Sequence, residues 1–259
     1  MAARAIWKGR LDLGSLEVPV RFFSAAQDRD VHFRLLRAAS HTPVEQRMVH
    51  AETGEVVPRE AMRRGLEVEP GLFVAIDDEE LAALEPEPDR RVELVAFVAP
   101  ERIAPAWYDR PYWLGPDGAD DEYFALARVL ASRSRVGIAR WTMRKRTYVG
   151  ALRAEGPWLM VSTLRHLGEV LSREALGPAP EVKIDPQEAL LAEQLVGMLV
   201  QPTLELEAYR DEHRDRVLAL VEAKARGEAL PLQRPAPRPE PASLADSLRQ
   251  SLEAARRAA

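Results

Sequence analysis

The apolar positions of residues 4–23 (RAIWKGRLDLGSLEVPVRFF) alternate over short stretches broken by Gly9 and Gly14, which predicts two short strands joined by a turn at Gly14. His32–Leu36 (HFRLL) is a further strand candidate. Residues 41–60 place the turn Glu52-Thr53-Gly54 between two extended pieces, a hairpin pattern. Gly71–Ile76 (GLFVAI) is wholly apolar and reads as a strand. Asp77 then opens a short helix, because its carboxylate can accept from the Glu80 amide while Glu80 reaches back. Arg91–Val98 is strand-like. Residues 105–118 hold Pro105, Pro111, Pro116, Gly115 and Gly118, so they read as loop with one short strand around Tyr112–Leu114. Tyr123–Leu130 shows helical spacing. Val136–Met143, Tyr148–Arg153 and Trp158–Thr163 form a meander, separated by the basic turn Arg144-Lys145-Arg146 and by Gly156-Pro157.

From Asp185 onward the period changes to that of helices. Asp185 caps, Pro186 occupies the first helical position, and Leu190, Leu191, Leu195, Met198 and Leu199 supply an apolar stripe that Pro202 ends. A second helix is predicted from Glu205 to Arg226, stopped by Gly227; at ~1.5 Å per residue it would span ~33 Å. Its apolar positions give no even stripe, so it wants a partner to lean on. Residues 231–241 (PLQRPAPRPEP) hold five prolines and read as a semi-extended linker. Ser243 then caps a terminal amphipathic helix with Leu244, Leu248 and Leu252 at four-residue intervals. A short helix on such a tether is marginal alone and must dock, on its own body or on a partner.

Composition narrows the class. The chain has 259 residues, 46% hydrophobic and 30% charged, enough for one or two globular domains. It has no cysteine, which removes disulfides, thiolate metal sites and Cys nucleophiles and fits a reducing compartment. No apolar run reaches the ~18–20 residues of a membrane span, and the start lacks a secretory h-region, so a cytoplasmic protein is expected. The net charge of −5 conceals segregation: residues 77–127 carry 4 basic and 14 acidic side chains, whereas residues 128–173 carry 10 and 2. That basic block can raise a local positive field, or it can be a solvated strand face opposite an acidic neighbour. Only Lys8, Lys145, Lys183 and Lys224 among the 36 cations are lysine. Arginine suits bidentate phosphate contact, although genome base composition also favours it.

Motifs of catalysis are missing. The sequence has no phosphate-binding P-loop, no G-x-G-x-x-G, no G-x-S-x-G elbow and no H-E-x-x-H. His32, His41, His50, His166 and His213 are scattered without supporting ligand spacing, so no metal site is expected. Asp77-Asp78-Glu79-Glu80 could be a nuclease-like metal cluster, but at a helix start it reads as capping and dipole complementarity. A binding or scaffold role is favoured over an enzyme.

Five segments in order then resemble one family, the bacterial Ku proteins of DNA double-strand break end joining. They are RAIWKGRLDLGSLEVPVRFFSA (residues 4–25), GEVVPREAMRRGLEVEPGLFVAIDDEEL (54–81), RIAPAWYDRPYWLGPDG (102–118), SRVGIARWTMRKR (134–146) and YRDEHRDRVLALVEAKARGEAL (209–230). Departures include Leu13 and Ser15-Leu16 in the opening motif and Ala104 where the family carries Asp.

The resemblance implies a mixed α+β fold: a Ku-type β-barrel core with an arch-like insertion, forming a dimeric ring, followed by a C-terminal helical arm. On this chain it implies a barrel core with a DNA-encircling arch over 1–182, a dimer-embracing arm over 183–230, a linker over 231–241 and a terminal helix over 242–259. The implied function is sequence-independent binding of double-stranded DNA ends in non-homologous end joining, with a homodimer threading onto the broken end. The implied partner is the multifunctional ATP-dependent end-joining ligase, docked through Leu244, Leu248 and Leu252. No cofactor is implied, and the place of action is the cytoplasmic nucleoid. Phosphate contacts fall to Arg34, Arg37, Arg47, Arg59, Arg63 and Arg64 on the arch and to Arg140, Arg144, Lys145 and Arg146 on the meander. Trp7, Tyr112 and Trp141 read as core. The alternatives are a DNA-processing nuclease using the acidic cluster and a protein scaffold that ignores DNA.

Overall fold

The computed structural model describes residues 4–87, 89–228 and 243–258. They fall into two compact units, one made of the residues through Asp28 with Arg34–Ser172, the other of Arg29–Phe33 with Arg173 onward.

The elements of the first unit are β1 (Trp7–Asp12), β2 (Glu17–Ser24), β3 (Arg64–Glu69), β4 (Leu72–Ile76), α1 (Asp78–Ala83), β5 (Arg91–Val98), β6 (Tyr108–Pro116), α2 (Asp120–Arg133), β7 (Val136–Met143), β8 (Arg146–Glu155) and β9 (Trp158–Leu164). Seven of the strands close a barrel in the order β1-β2-β6-β9-β8-β7-β5. Every joint is antiparallel except the closing one, where β1 runs parallel to β5 with Leu11 opposite Val92. Alternation sets the register. Val18, Val20 and Phe22 point inward from β2, and Leu11, Val92, Leu114, Trp141, Leu152, Leu159 and Val161 meet them in one core. Gly150 is required there, because a Cβ would lie 2.7 Å from the Trp141 ring.

Helix α2 packs on the barrel with Tyr123, Leu126, Ala127 and Leu130. The Tyr123 hydroxyl donates to the Leu114 carbonyl and accepts from the Leu159 amide at 2.8 Å. Leu114 and Leu159 are register partners, so the phenol splices into the ladder between β6 and β9. Burial pushes the Tyr123 hydroxyl above its ordinary pKa, opposed by the Leu159 amide.

Between β2 and β5 the chain makes a long excursion without a core of its own. It holds isolated bridges Leu36↔Pro43 and Val49↔Val56, then the hairpin β3–β4, whose side chains are almost all exposed. The sequence reading passes over β3, whose Leu66 and Val68 alternate with Glu67 and Glu69 too briefly to mark a strand, and the strand buries neither face. The predicted strand His32–Leu36 does not form; the division between the two units falls inside it. The hairpin across Glu52-Thr53-Gly54 shrinks to one bridge. Around Asp77 the expected capping box is present, with the Asp77 amide donating to Glu80 at 2.9 Å. The loop expected over 105–118 is mostly strand β6. Pro111 sits where the pairing with β9 shifts register, and Pro116 ends the strand, so neither removes a needed donor.

The second unit holds α3 (Pro186–Leu199), α4 (Glu212–Ala225) and α5 (Leu244–Ala258). The Asp185 carboxylate caps α3, accepting from the Gln187 amide at 2.7 Å. Helix α4 is 14 residues long, about 21 Å, against the ~33 Å expected. Its start moves because Asp211 takes the capping role, accepting from the Arg214 amide at 2.9 Å, while residues 206–208 form only a 3-10 turn. Arg214 Nε also donates to the Arg29 carbonyl at 2.8 Å, tying segment 29–33 to α4. Helix α5 lies against α3. Ser243 caps it, accepting from the Asp246 amide at 3.1 Å. The proline-rich stretch 231–241 lies outside the described residues.

Candidate nucleic-acid interface

The β7–β8 hairpin carries the densest group of cations. Met143 pairs with Arg146, so only Arg144 and Lys145 form the loop. Both have positive φ, 49° and 66°, the signature of a type I′ turn. That turn is favoured by Asn-Gly, and two side chains with a Cβ are held here in the left-handed region at a cost. Its base is braced by the stack of Trp141 on Tyr148, at 5.6 Å and 21°.

Arg144, Lys145 and Arg146 are exposed, and Arg140 projects outward from β7. Two of the four already face carboxylates: Arg140 meets Glu93 at 2.9 Å, and Lys145 meets Glu85 at 2.9 Å. Glu85 stands just past the end of α1, so the returning limb of the excursion touches the hairpin tip. Trp7, Glu85, Asp89, Arg90, Arg144 and Lys145 line a cavity of about 310 Å³ beside it. Sequence reasoning misses Arg90. Its signal is the pair Arg90-Arg91 at the entry to an apolar strand, and the β5–β7 pairing brings it to the hairpin.

The excursion presents the other six cations. Arg34, Arg37, Arg47 and Arg59 are exposed, and among the described residues no ion pair reaches them. Arg63 and Arg64 are held by the start of α1, Arg63 to Asp77 at 3.1 Å and Arg64 to Asp78 at 3.3 Å. These residues and Arg59 line one open concavity of about 600 Å³. The acidic run is therefore engaged in capping and ion pairing. Among the described residues no group of three or more His, Asp or Glu side chains could hold a metal ion.

All four ion pairs are exposed at the surface, where such contacts contribute about 0–1 kcal/mol. A phosphate could displace the carboxylates at little cost. The arrangement therefore combines cations already free with cations held in weak, exchangeable pairs.

Of the expected aromatics, Trp141 and Tyr112 are buried, while Trp7 packs edge-on against Phe22 at 4.9 Å. Burial raises the Tyr112 hydroxyl above its usual pKa, opposed chiefly by the Arg110 charge. In the second unit Leu252 is buried, Leu248 half-buried and Leu244 60% exposed.

Comparison with known proteins adds an independent line. A family model described as the Ku70/Ku80 beta-barrel domain matches residues 12–192. "Non-homologous end joining protein Ku 2" of Geotalea uraniireducens (strain Rf4) is 36% identical over 253 residues, covering 98% of this chain and 97% of the relative. "Non-homologous end joining protein Ku" of Anaeromyxobacter sp. (strain K) is 37% identical over 259 residues, covering 98% and 87%. The protein of the same description in Koribacter versatilis (strain Ellin345) is 35% identical over 254 residues, covering 97% and 87%.

Proposed function

The chain belongs to the Ku family of non-homologous end joining proteins, and from that premise we propose that it binds double-stranded DNA ends without reading their sequence, as a homodimeric ring. The observation that carries the reading is the excursion between β2 and β5. It is a long limb with no core of its own, arginines free along it, rooted on a barrel whose β7–β8 hairpin adds four more cations. Such a limb has no reason to exist as packing. Phosphate contact by arginine and lysine fixes a protein on a duplex without specifying bases.

Two copies close the ring. The limb leaves Leu66, Val68, Leu72 and Phe73 more than half exposed, an apolar area that a second copy can cover. In this assignment residues 1–182 form the barrel and arch, 183–230 the arm that embraces the partner, 231–241 a linker and 242–259 a terminal ligase-docking helix. The ten cations named above face phosphate. No step of chemistry is assigned to the protein: it holds the end and recruits the ligase. Among the described residues no helix is long and apolar enough to cross a membrane, and DNA binding would place the protein on the nucleoid.

Ligase docking uses α5. Leu244 is available on its surface, whereas Leu252 is covered while α5 lies on α3, so full use of the leucine row requires α5 to leave that helix.

Competition between linear and closed-circular duplex tests the reading. Linear DNA should compete and closed circles should not. Equal competition by the two forms would overturn end threading.

A further inference from the structure

The outer wall of the barrel carries a second surface of opposite character. On β2, β6 and β9 the inward residues Phe22, Tyr112, Leu114 and Leu159 are buried, and the residues between them face outward. Phe23 and Trp113 are cross-strand partners there. Trp158 lies on the neighbouring strand, 47% exposed, and Trp113 is 37% exposed. Between them stands Gly115, where a Cβ would come 3.0 Å from Phe23 Cε2. The missing side chain leaves an open hollow of about 320 Å³ floored by Gly115 and walled by Phe23, Trp113 and Trp158. Phe124 of α2 extends the wall, edge-on to Trp158 at 5.7 Å.

The rim is acidic. Asp120 and Asp121 lie four and three residues before Phe124 on the same helix, hence on its side of α2, whereas Glu122, two residues before it, turns to the opposite side. None caps the helix, since its N-cap is Ala119 without a side-chain bond, and among the described residues none has an ion pair. Two exposed cations border it: Arg128, a turn beyond Phe124, and Arg21, the register partner of Gly115, whose guanidinium is engaged by the Pro116 carbonyl and by Asp117.

We propose that this hollow docks an extended peptide of a partner protein, with one aromatic side chain seated among Phe23, Trp113 and Trp158 and flanking arginines or lysines against Asp120 and Asp121. Charge decides the occupant. The acidic rim repels a nucleic-acid phosphate. It also disfavours a second copy, because an isologous contact sets the same acids against themselves. The barrel is closed and offers no strand edge, so the peptide is held by side chains rather than by an added strand. This surface is independent of the proposed DNA face.

The test is titration calorimetry of the full-length protein with a capped seven-residue peptide, a central tryptophan between two arginines on each side. Two control peptides replace the tryptophan by alanine or the arginines by glutamate. Saturable binding of the first and none of the controls is expected. The double variant Asp120→Asn, Asp121→Asn touches no packing and should weaken binding about tenfold at 50 mM salt, with the difference collapsing at 1 M, where the Debye length is ~3 Å. Trp113→Thr should abolish it. Equal binding of the glutamate peptide, or no change in both variants, would overturn the proposal. So would loss of dimerisation or of duplex affinity in the double variant, which would assign the surface to the ring or to DNA.

Discussion

The tip of the β7–β8 hairpin sets stability against binding, and one double substitution separates the two. Arg144→Asn with Lys145→Gly gives the loop the sequence a type I′ turn prefers. At present both residues hold positive φ, 49° and 66°. Relieving a left-handed non-glycine residue recovers about 1–2 kcal/mol, and removal of the Lys145–Glu85 pair, exposed on the lysine side, returns at most about 1 kcal/mol. A net gain of about 1 kcal/mol would raise Tm by roughly 2–4 °C in a chain of this size. The DNA side moves the other way. Each phosphate that the hairpin ceases to neutralise takes about 0.9 from the slope of log K against log salt, which at 0.1 M is about eightfold in affinity. Two such phosphates per hairpin amount to about sixtyfold. Thermal melts monitored by circular dichroism, with anisotropy titrations of a linear duplex between 50 and 200 mM salt, measure both quantities on one sample. A more stable protein with an unaltered salt slope would show that these cations are idle. A less stable one would refute the strained-turn argument itself.

Tyr123→Phe removes the hydroxyl spliced between Leu114 and Leu159 and should cost about 1–3 kcal/mol in denaturant unfolding. Because burial raises the folded-state pKa of Tyr123 above the ordinary 10.0, the folded protein keeps its proton longer than the unfolded chain. That contribution is complete below pH 10 and is lost as pH rises through the folded value, so the variant should show a shallower alkaline decline; Tyr112 contributes in the same direction in both proteins. Glu85→Gln releases Lys145 and should tighten duplex binding at low salt while stability shifts by less than about 1 kcal/mol; weaker binding would show that the ion pair positions the lysine instead. Deleting residues 231–259 should leave duplex affinity intact and abolish stimulation of the end-joining ligase, and ligase stimulation that survives the deletion would remove α5 from that role.

The barrel is legible in the sequence where strands bury one face. The β1–β2 pair alternates cleanly, the β7–β8–β9 meander shows as short apolar runs buried at successive positions, and their turns sit at Gly14, Arg144-Lys145 and Gly156. Legibility fails where burial does not sort residues. Strand β3 is exposed on both faces, and its one short alternation, Leu66 and Val68 against Glu67 and Glu69, is too brief to mark it. The run His32–Leu36 forms no strand beyond the single bridge Leu36↔Pro43, and the division between the two units falls inside it. The prolines of β6 mislead because Pro111 coincides with a register shift. The start of α4 turns on a capping competition that Asp211 wins. At the candidate interface the cations can be named from sequence, but their carboxylates cannot. Glu85 and Glu93 reach Lys145 and Arg140 across 60 and 47 residues, respectively, and no local pattern announces that.

The parallel joint between β1 and β5 has a consequence for biosynthesis. Leu11 cannot meet Val92 until about 80 further residues have been made, which at ~5–20 residues per second leaves the first hairpin open-edged for roughly 4–16 s. Its other edge waits still longer for β6. Loop entropy adds little to that delay, since each doubling of length costs only about 0.6 kcal/mol. The hazard is kinetic: two unpaired strand edges on each nascent chain are open to neighbouring polypeptides before the cylinder shuts.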